Sequence, residues 1–227
     1  MLNPSTTGSD RVLDEKSGHE AASHRKRVLN AGSGPTNADK LFRNFTPQTW
    51  DEVRLDIDPR TRPDLVGSII DMRSIIPDRT FDAIWSSHAI EHLHTHEVVP
   101  ALTEFRRILK PDGFVLLTCP DLTAVVRLML TKGAEDVAYI SPSGPITALD
   151  MLFGHSASIA AGQTYMAHHT GMTIDLIGKR AMAAGFAETR VMPGASFDLW
   201  AVLMMPAAEP KEVASFFAGT LIHELFV

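Results

Sequence analysis

An open α/β sheet, mostly parallel and closed by an antiparallel hairpin, is the fold that this 227-residue sequence predicts. Three observations carry it. Short runs rich in Val, Ile and Leu alternate with stretches of helical period, the pattern of strands buried on both faces and joined by helices. A glycine turn, "NAGSG", follows the first of those runs. Near the C-terminus "ETRVMP" and "FDLWAVLMMP" are separated only by "GAS", which suits a hairpin and leaves no room for a crossover.

In chain order, strands are expected at 27–32, 52–57, 65–70, 81–87 and 114–119. Residues 1–26 are polar and read as a loose tail or short surface cap, with "HRKR" at 24–27 a solvated lead-in to the first strand. The next two connections are thin: 35–50 has room for a short helix and 59–64 for none, so that side of the sheet is expected to be poorly covered. Residues 96–110 place apolar side chains at 98, 99, 102, 105, 108 and 109, an amphipathic helix ended by "PDG". A second such helix spans 173–186, with Thr173 as N-cap and Gly185 as its stop. Before it lies an insertion at about 121–172, far longer than a strand-to-helix connection needs. Its mixture of Met, His, aromatic and Gly residues suits a lid over the carboxyl ends of the strands. Residues 207–227 end in an amphipathic helix, expected to cap the fold or to meet a second copy of the chain. The main domain is thus expected at 27–206.

Composition narrows the function. With 44% hydrophobic and 21% charged residues the chain is ordinary for a soluble globular protein. A net charge of −6 offers no footprint for a phosphate backbone, so no nucleic-acid partner is expected. No run approaches the ~18 apolar residues of a membrane span. No leader is visible, and the expectation is a cytoplasmic protein without a membrane partner. Cys119 is the only cysteine, which excludes an internal disulfide and a zinc ribbon; within "FVLLTCP" it reads as a buried, inert thiol.

The turn Gly32-x-Gly34 lets the backbone bend tightly and approach a ligand. The dinucleotide fingerprint wants a third glycine where Asn37 stands, which disfavours a pyrophosphate loop and makes a nicotinamide oxidoreductase a distant reading. Asp56 ends the next strand, close to the ~20-residue spacing at which a carboxylate accepts ribose hydroxyls.

Five blocks in this order resemble the class I S-adenosylmethionine (SAM)-dependent methyltransferases, within them the bacterial small-molecule, type 11-like group. They are "VLNAGSGPT", "RLDIDP", "DMRSIIPDRTFDAIWSSHAIEHL", "LTEFRRILKPDGFVLLTCPD" and "HHTGMTIDLIGKRAMAAGF". The resemblance covers about 27–206 and implies a Rossmann-like sheet. It also implies an enzyme that moves a methyl group from SAM to an O or N atom of a small-molecule acceptor, leaving S-adenosylhomocysteine. Carried over by position, it sets Asn30, Gly32, Ser33 and Gly34 against the methionine part of SAM. Asp56 would hold the ribose, Asp71 and Met72 the adenine, and Ser86 with Ser87 would close the pocket. Asn30 stands where the family usually has an acid, and Thr36 replaces the third glycine of GxGxG. Those departures are what a non-catalytic SAM-fold binding protein would show.

Residues 88–96, "HAIEHLHTH", hold four of the ten histidines. A zinc-protease motif is excluded, because "HEVVP" has Pro100 where a second histidine belongs and "HELFV" ends at Val227. His88, Glu91 and His92 share one face if a helix has begun. Two readings stand. In one they ligate a divalent metal, since Glu91-His92 resembles the Glu-His pair of metal-assisted small-RNA 2′-O-methyltransferases and ubiquinone O-methyltransferases, with His88 where glutamate is usual. In the other, preferred here, no metal is bound and His88 is the general base or orients the acceptor. From the insertion, His168 and His169 are further candidates for the base. His92, His155 and Tyr165 are candidates for acceptor binding.

Overall fold

The computed structural model describes residues 25–36 and 40–227. Most of the polar N-terminal stretch (1–24) and Asn37 lie outside the described residues. Strands β1 (Lys26–Ala31), β2 (Trp50–Asp56), β3 (Leu65–Val66), β4 (Phe81–Ser87), β5 (Leu109–Pro120), β8 (Glu188–Pro193) and β9 (Asp198–Met204) form one sheet in the order β3-β2-β1-β4-β5-β9-β8. Pairing from β3 to β5 is parallel, and β9 runs antiparallel between β5 and β8. The sheet is therefore parallel with an antiparallel terminal hairpin.

Strand alternation divides the core between the two faces of the sheet. Leu29, Ile84, Val115, Leu117 and Leu203 point to one face, under helices α1 (Val98–Ile108) and α5 (Ile174–Ala183). Val98, Leu102, Phe105 and Ile108 return every three or four residues along α1, so one stripe of that helix is buried. Thr173 caps α5, accepting from the Leu176 N–H at 3.3 Å.

Val28, Ala83, Trp85, Leu116 and Val202 point to the other face. The thin connections predict poor cover there, and the structure departs from that expectation. Among the described residues of the β1–β2 connection no helix forms and aromatic side chains take its place: Phe45 packs against Trp50 and Phe216, at ring separations of 4.9 and 4.8 Å. The expected C-terminal helix is two short pieces, α6 (Pro210–Phe216) and a 3₁₀ segment (Leu221–Phe226), separated by Gly219 at φ +75°. Val213, Phe217 and Ile222 from these pieces are buried on this face, so their apolar side chains are used within the chain.

The strand expected at 65–70 is only two residues long, since beyond Val66 the chain turns down toward α1 and buries Met72 and Ile76. The insertion leaves and rejoins the sheet at one neck, where Leu122 N–H donates to the Met172 carbonyl at 2.9 Å. It holds α2 (Leu122–Thr131), a hairpin of β6 (Val137–Ser141) and β7 (Gly144–Thr147), then α3 (Ala148–Phe153) and α4 (Ser156–Ala160). A small core of its own, Val125, Leu128, Ile146, Ala148 and Met151, holds these pieces together. Among the described residues no helix is long and apolar enough to cross a membrane.

Candidate active site

The chain order reverses between β1 and β4, because β2 and β3 lie to one side of β1 and β4 to the other. Loops leaving two such strands diverge in opposite directions and open a crevice at their carboxyl ends. A cavity of about 1030 Å³ lies there, roofed by the insertion. That is at the upper end of the ~300–1000 Å³ typical of small-molecule sites, and large enough for two ligands side by side.

One half of the cavity is built by backbone. Gly32 at φ +75° and Gly34 at φ +61° turn the chain after β1. A Cβ on Gly32 would stand 2.7 Å from the Ala89 Cβ, so the turn is packed directly on the loop after β4. Gly34 N–H donates to Asp56 Oδ2 at 2.7 Å, and Asp58 N–H donates to Asp56 Oδ1 at 2.8 Å. The carboxylate is thus fixed at the cavity edge with further lone pairs on both oxygens. Asn30 is buried and donates through Nδ2 to Glu52 Oε1 at 2.7 Å, while also lining the cavity. Ser33 and Ser87 line it as well.

Three residues expected here are placed elsewhere. Asp71 faces solvent and pairs with Arg73, which pulls its carboxyl well below the usual carboxylate range. Met72 is fully buried beneath α1, its N–H donating to Glu104 Oε2 at 2.7 Å. Ser86 is buried on β4 away from the cavity lining, its hydroxyl without a protein partner. Ile57, Ser68 and Ile69 occupy the stretch of wall expected for Asp71 and Met72. Nothing in their residue types marks them in the sequence.

The other half is built by side chains. His88 adopts φ +50°, a left-handed conformation that costs a non-glycine residue energy and collects at functional sites. Its N–H donates to the Thr118 carbonyl at 2.9 Å, and the imidazole is left half exposed within the cavity. Nδ1 lies 3.0 Å from Glu91 Oε1. Partial burial pushes this imidazole down, but the hydrogen bond and charge of Glu91 outweigh that and hold it above its ordinary range. Burial pushes the Glu91 carboxyl up, and His88, with His92 and His168 behind it, pulls it net downward. Glu91 therefore stays ionised although it is almost wholly buried.

His92 and His168 meet edge to face, with ring centres 4.9 Å apart. His168 is pushed down by its burial. His169 reaches the cavity rim, but its ring stacks on that of His94 at 4.4 Å. His155 bonds Ser158 Oγ through Nδ1 at 2.8 Å, and Tyr165 is half exposed on the roof. Asp198, whose Oδ2 accepts from Trp200 Nε1 at 2.6 Å, completes this wall with Thr118 and Tyr139, and no motif or spacing marks these three in the sequence. Cys119 is fully buried, and its burial holds the thiol well above the usual range, consistent with an inert side chain.

Residues 29–117 match a family model described as a methyltransferase domain. No curated protein sequence matches the chain. The fold is similar to that of a SAM-dependent methyltransferase from Archaeoglobus fulgidus, at 11% identity and a TM-score of 0.52, covering 80% of this chain and 87% of that one. It is similar also to a SAM-dependent methyltransferase from Aquifex aeolicus, at 14% identity and a TM-score of 0.51, covering 79% and 82%. The matched segment is the one that builds the glycine turn, the strand-end acid and the loop start at β4, so this part of the chain is similar to a methyltransferase domain and the fold is like that of the two enzymes.

Proposed function

We propose that the cavity binds SAM along the Gly32–Gly34 turn and a small acceptor beneath the insertion, and that His88 takes the proton from the acceptor's O or N atom. The observation that carries this reading is the division of one cavity into a backbone-built edge and a histidine-rich wall. SAM supplies a methyl group on a sulfonium, an electrophile that needs no further activation.

The chain's own contribution is placement and proton removal. Asp56 keeps lone pairs for two ribose hydroxyls after accepting from Gly34 and Asp58. The positive φ of Gly32 and Gly34 lets the turn approach a ligand without a Cβ between them. Ile57 and Ile69 offer apolar contact to an adenine ring, with Ser68 beside them. Because a carboxylate only accepts, His88 Nδ1 carries its proton toward Glu91, and Nε2 keeps a lone pair for the acceptor. As the acceptor lone pair forms the bond to the methyl carbon, the C–S electron pair stays on sulfur and the acceptor proton passes to His88. Holding the two reactants in line accounts for most of the acceleration such a site can give. The roofed cavity and the net charge of −6 favour a small acceptor over a polyanion.

Calorimetric titration of SAM tests the reading. One site per chain is expected, weakened at least ~100-fold in Asp56→Ala, which removes two anchored hydrogen bonds as well as the ribose contacts. Absence of SAM binding by folded protein would sink it.

A further inference from the structure

Glu91, His92 and His168 come from distant parts of the chain, two from the 3₁₀ turn after β4 and one from the end of the insertion. One ligand atom from each lies within 4.8 Å of the other two. Three separate features make this more than a crowd of polar groups. First, both imidazoles are held through Nδ1: His92 on the Ala167 carbonyl at 3.0 Å and His168 on the Met151 carbonyl at 2.9 Å. A carbonyl oxygen only accepts, so in the neutral ring each Nδ1 carries the proton and each Nε2 keeps its lone pair. That is the tautomer in which histidine ligates a metal, with a backbone carbonyl fixing the ring from behind. Second, Glu91 uses Oε1 on His88, while Oε2 is buried with no protein partner. An unpartnered buried carboxylate oxygen is costly, and a cation beside it removes the cost. Third, all three residues line the cavity, on the wall that carries His88.

Two neutral imidazoles and one carboxylate suit a borderline first-row cation, whereas Mg²⁺ and Ca²⁺ prefer oxygen alone. Three protein ligands also leave positions open, as catalytic metal sites do and structural ones do not. Ligand atoms around a tetrahedral ion stand ~3.4 Å apart, so the three groups need to draw in by ~1 Å or a little more.

We propose that Glu91, His92 and His168 bind one divalent first-row cation, and that its open positions take an oxygen of the acceptor. The acceptor is then a hydroxyl compound. This part rests on the reading above, whereas the metal site itself does not. The hydroxyl proton goes to His88, the oxygen bonds the methyl carbon, the C–S pair stays on sulfur, and the ion is unchanged.

The test is to strip the full chain with a chelator and titrate Zn²⁺ by calorimetry, and Co²⁺ by its visible absorption. One ion per chain is expected, with at least tenfold weaker binding in each of His92→Ala, His168→Ala and Glu91→Gln, the last keeping the size of the side chain. A His94→Ala/His96→Ala double variant controls for a stray surface site, since those rings stack at 5.8 Å, and it should bind as the parent does. Acetohydroxamate, a bidentate oxygen ligand, should shift the Co²⁺ band. No saturable binding, or binding that survives both His92→Ala and His168→Ala, would overturn the site; an unshifted band would overturn the open positions. SAM binding without metal binding defeats this inference alone. Metal binding without SAM binding keeps the site and defeats the acceptor's place beside a methyl donor.

Discussion

The two halves of the cavity are made in different ways. Around Gly32 and Asp56 the site is backbone geometry: two glycines with positive φ and a carboxylate gripped by two main-chain N–H groups. Around His88 it is a network of side chains, four of them ionisable, drawn from β4's exit loop and from the end of the insertion. A backbone-built half can serve any reaction that needs the same ligand held still. A side-chain-built half can be altered one residue at a time.

Substitutions on the two sides should therefore separate binding from turnover. The largest effect is expected from His88→Gln. On any acceptor the protein methylates, kcat should fall by roughly 10²–10⁴-fold, the usual contribution of a positioned base, while the SAM dissociation constant moves less than about threefold. A fall in kcat of less than tenfold would leave His88 a purely structural residue of the β4 turn. Next comes Gly32→Ala on the backbone side. A left-handed alanine and a Cβ 2.7 Å from Ala89 should cost ~2–3 kcal/mol of stability and weaken SAM binding, read by denaturant unfolding and calorimetry. Unchanged SAM affinity would show that the turn is scaffold only.

The smallest effect concerns the roof. Asp150 caps α3 and also accepts from the Ser156 N–H and hydroxyl, at 2.9 and 2.8 Å. Burial pushes its carboxyl up, but the hydrogen bonds from Ser156 and Thr147 outweigh that and hold it at about 2. A depressed carboxyl contributes stability that is present above its unfolded value near 4 and is lost as the pH falls through 2. The contribution is on the order of 2 kcal/mol. The Tm difference between the parent and Asp150→Asn should therefore be full at pH 6 and shrink below pH 4. A gap that stays constant down to pH 2.5 would refute the assignment.

The same division explains what the sequence disclosed. Gly32, Gly34 and Asp56 were legible because glycine type and strand-end position fix their geometry locally. Asp71 and Met72 were misplaced because their orientation is decided elsewhere: by Arg73 two residues on, and by Glu104 on a helix 32 residues downstream. The histidine spacing pointed to His88, Glu91 and His92 as a set. The helix that would align them is a single 3₁₀ turn, and His88 lies outside it in a left-handed turn. His168 takes its place among the three because the insertion's neck closes between Asp121 and Met172 and returns the chain to Glu91, whose carbonyl accepts from the His169 N–H at 2.8 Å. Spacing along the chain carries no trace of such a return.

The cover on the sheet's second face has a consequence for how the chain comes to be folded. Val28 on β1 belongs to the same buried cluster as Val213, Phe217 and Ile222, residues separated from it by most of the sequence. During synthesis the first strand emerges long before the side chains that shield it, so the nascent sheet presents an apolar face to whatever is nearby until residues 213–222 have followed. Contacts of such long range form late and slowly, and they leave the growing chain exposed to association in the meantime. For this protein the vulnerable interval ends only when Val213, Phe217 and Ile222 have left the ribosome.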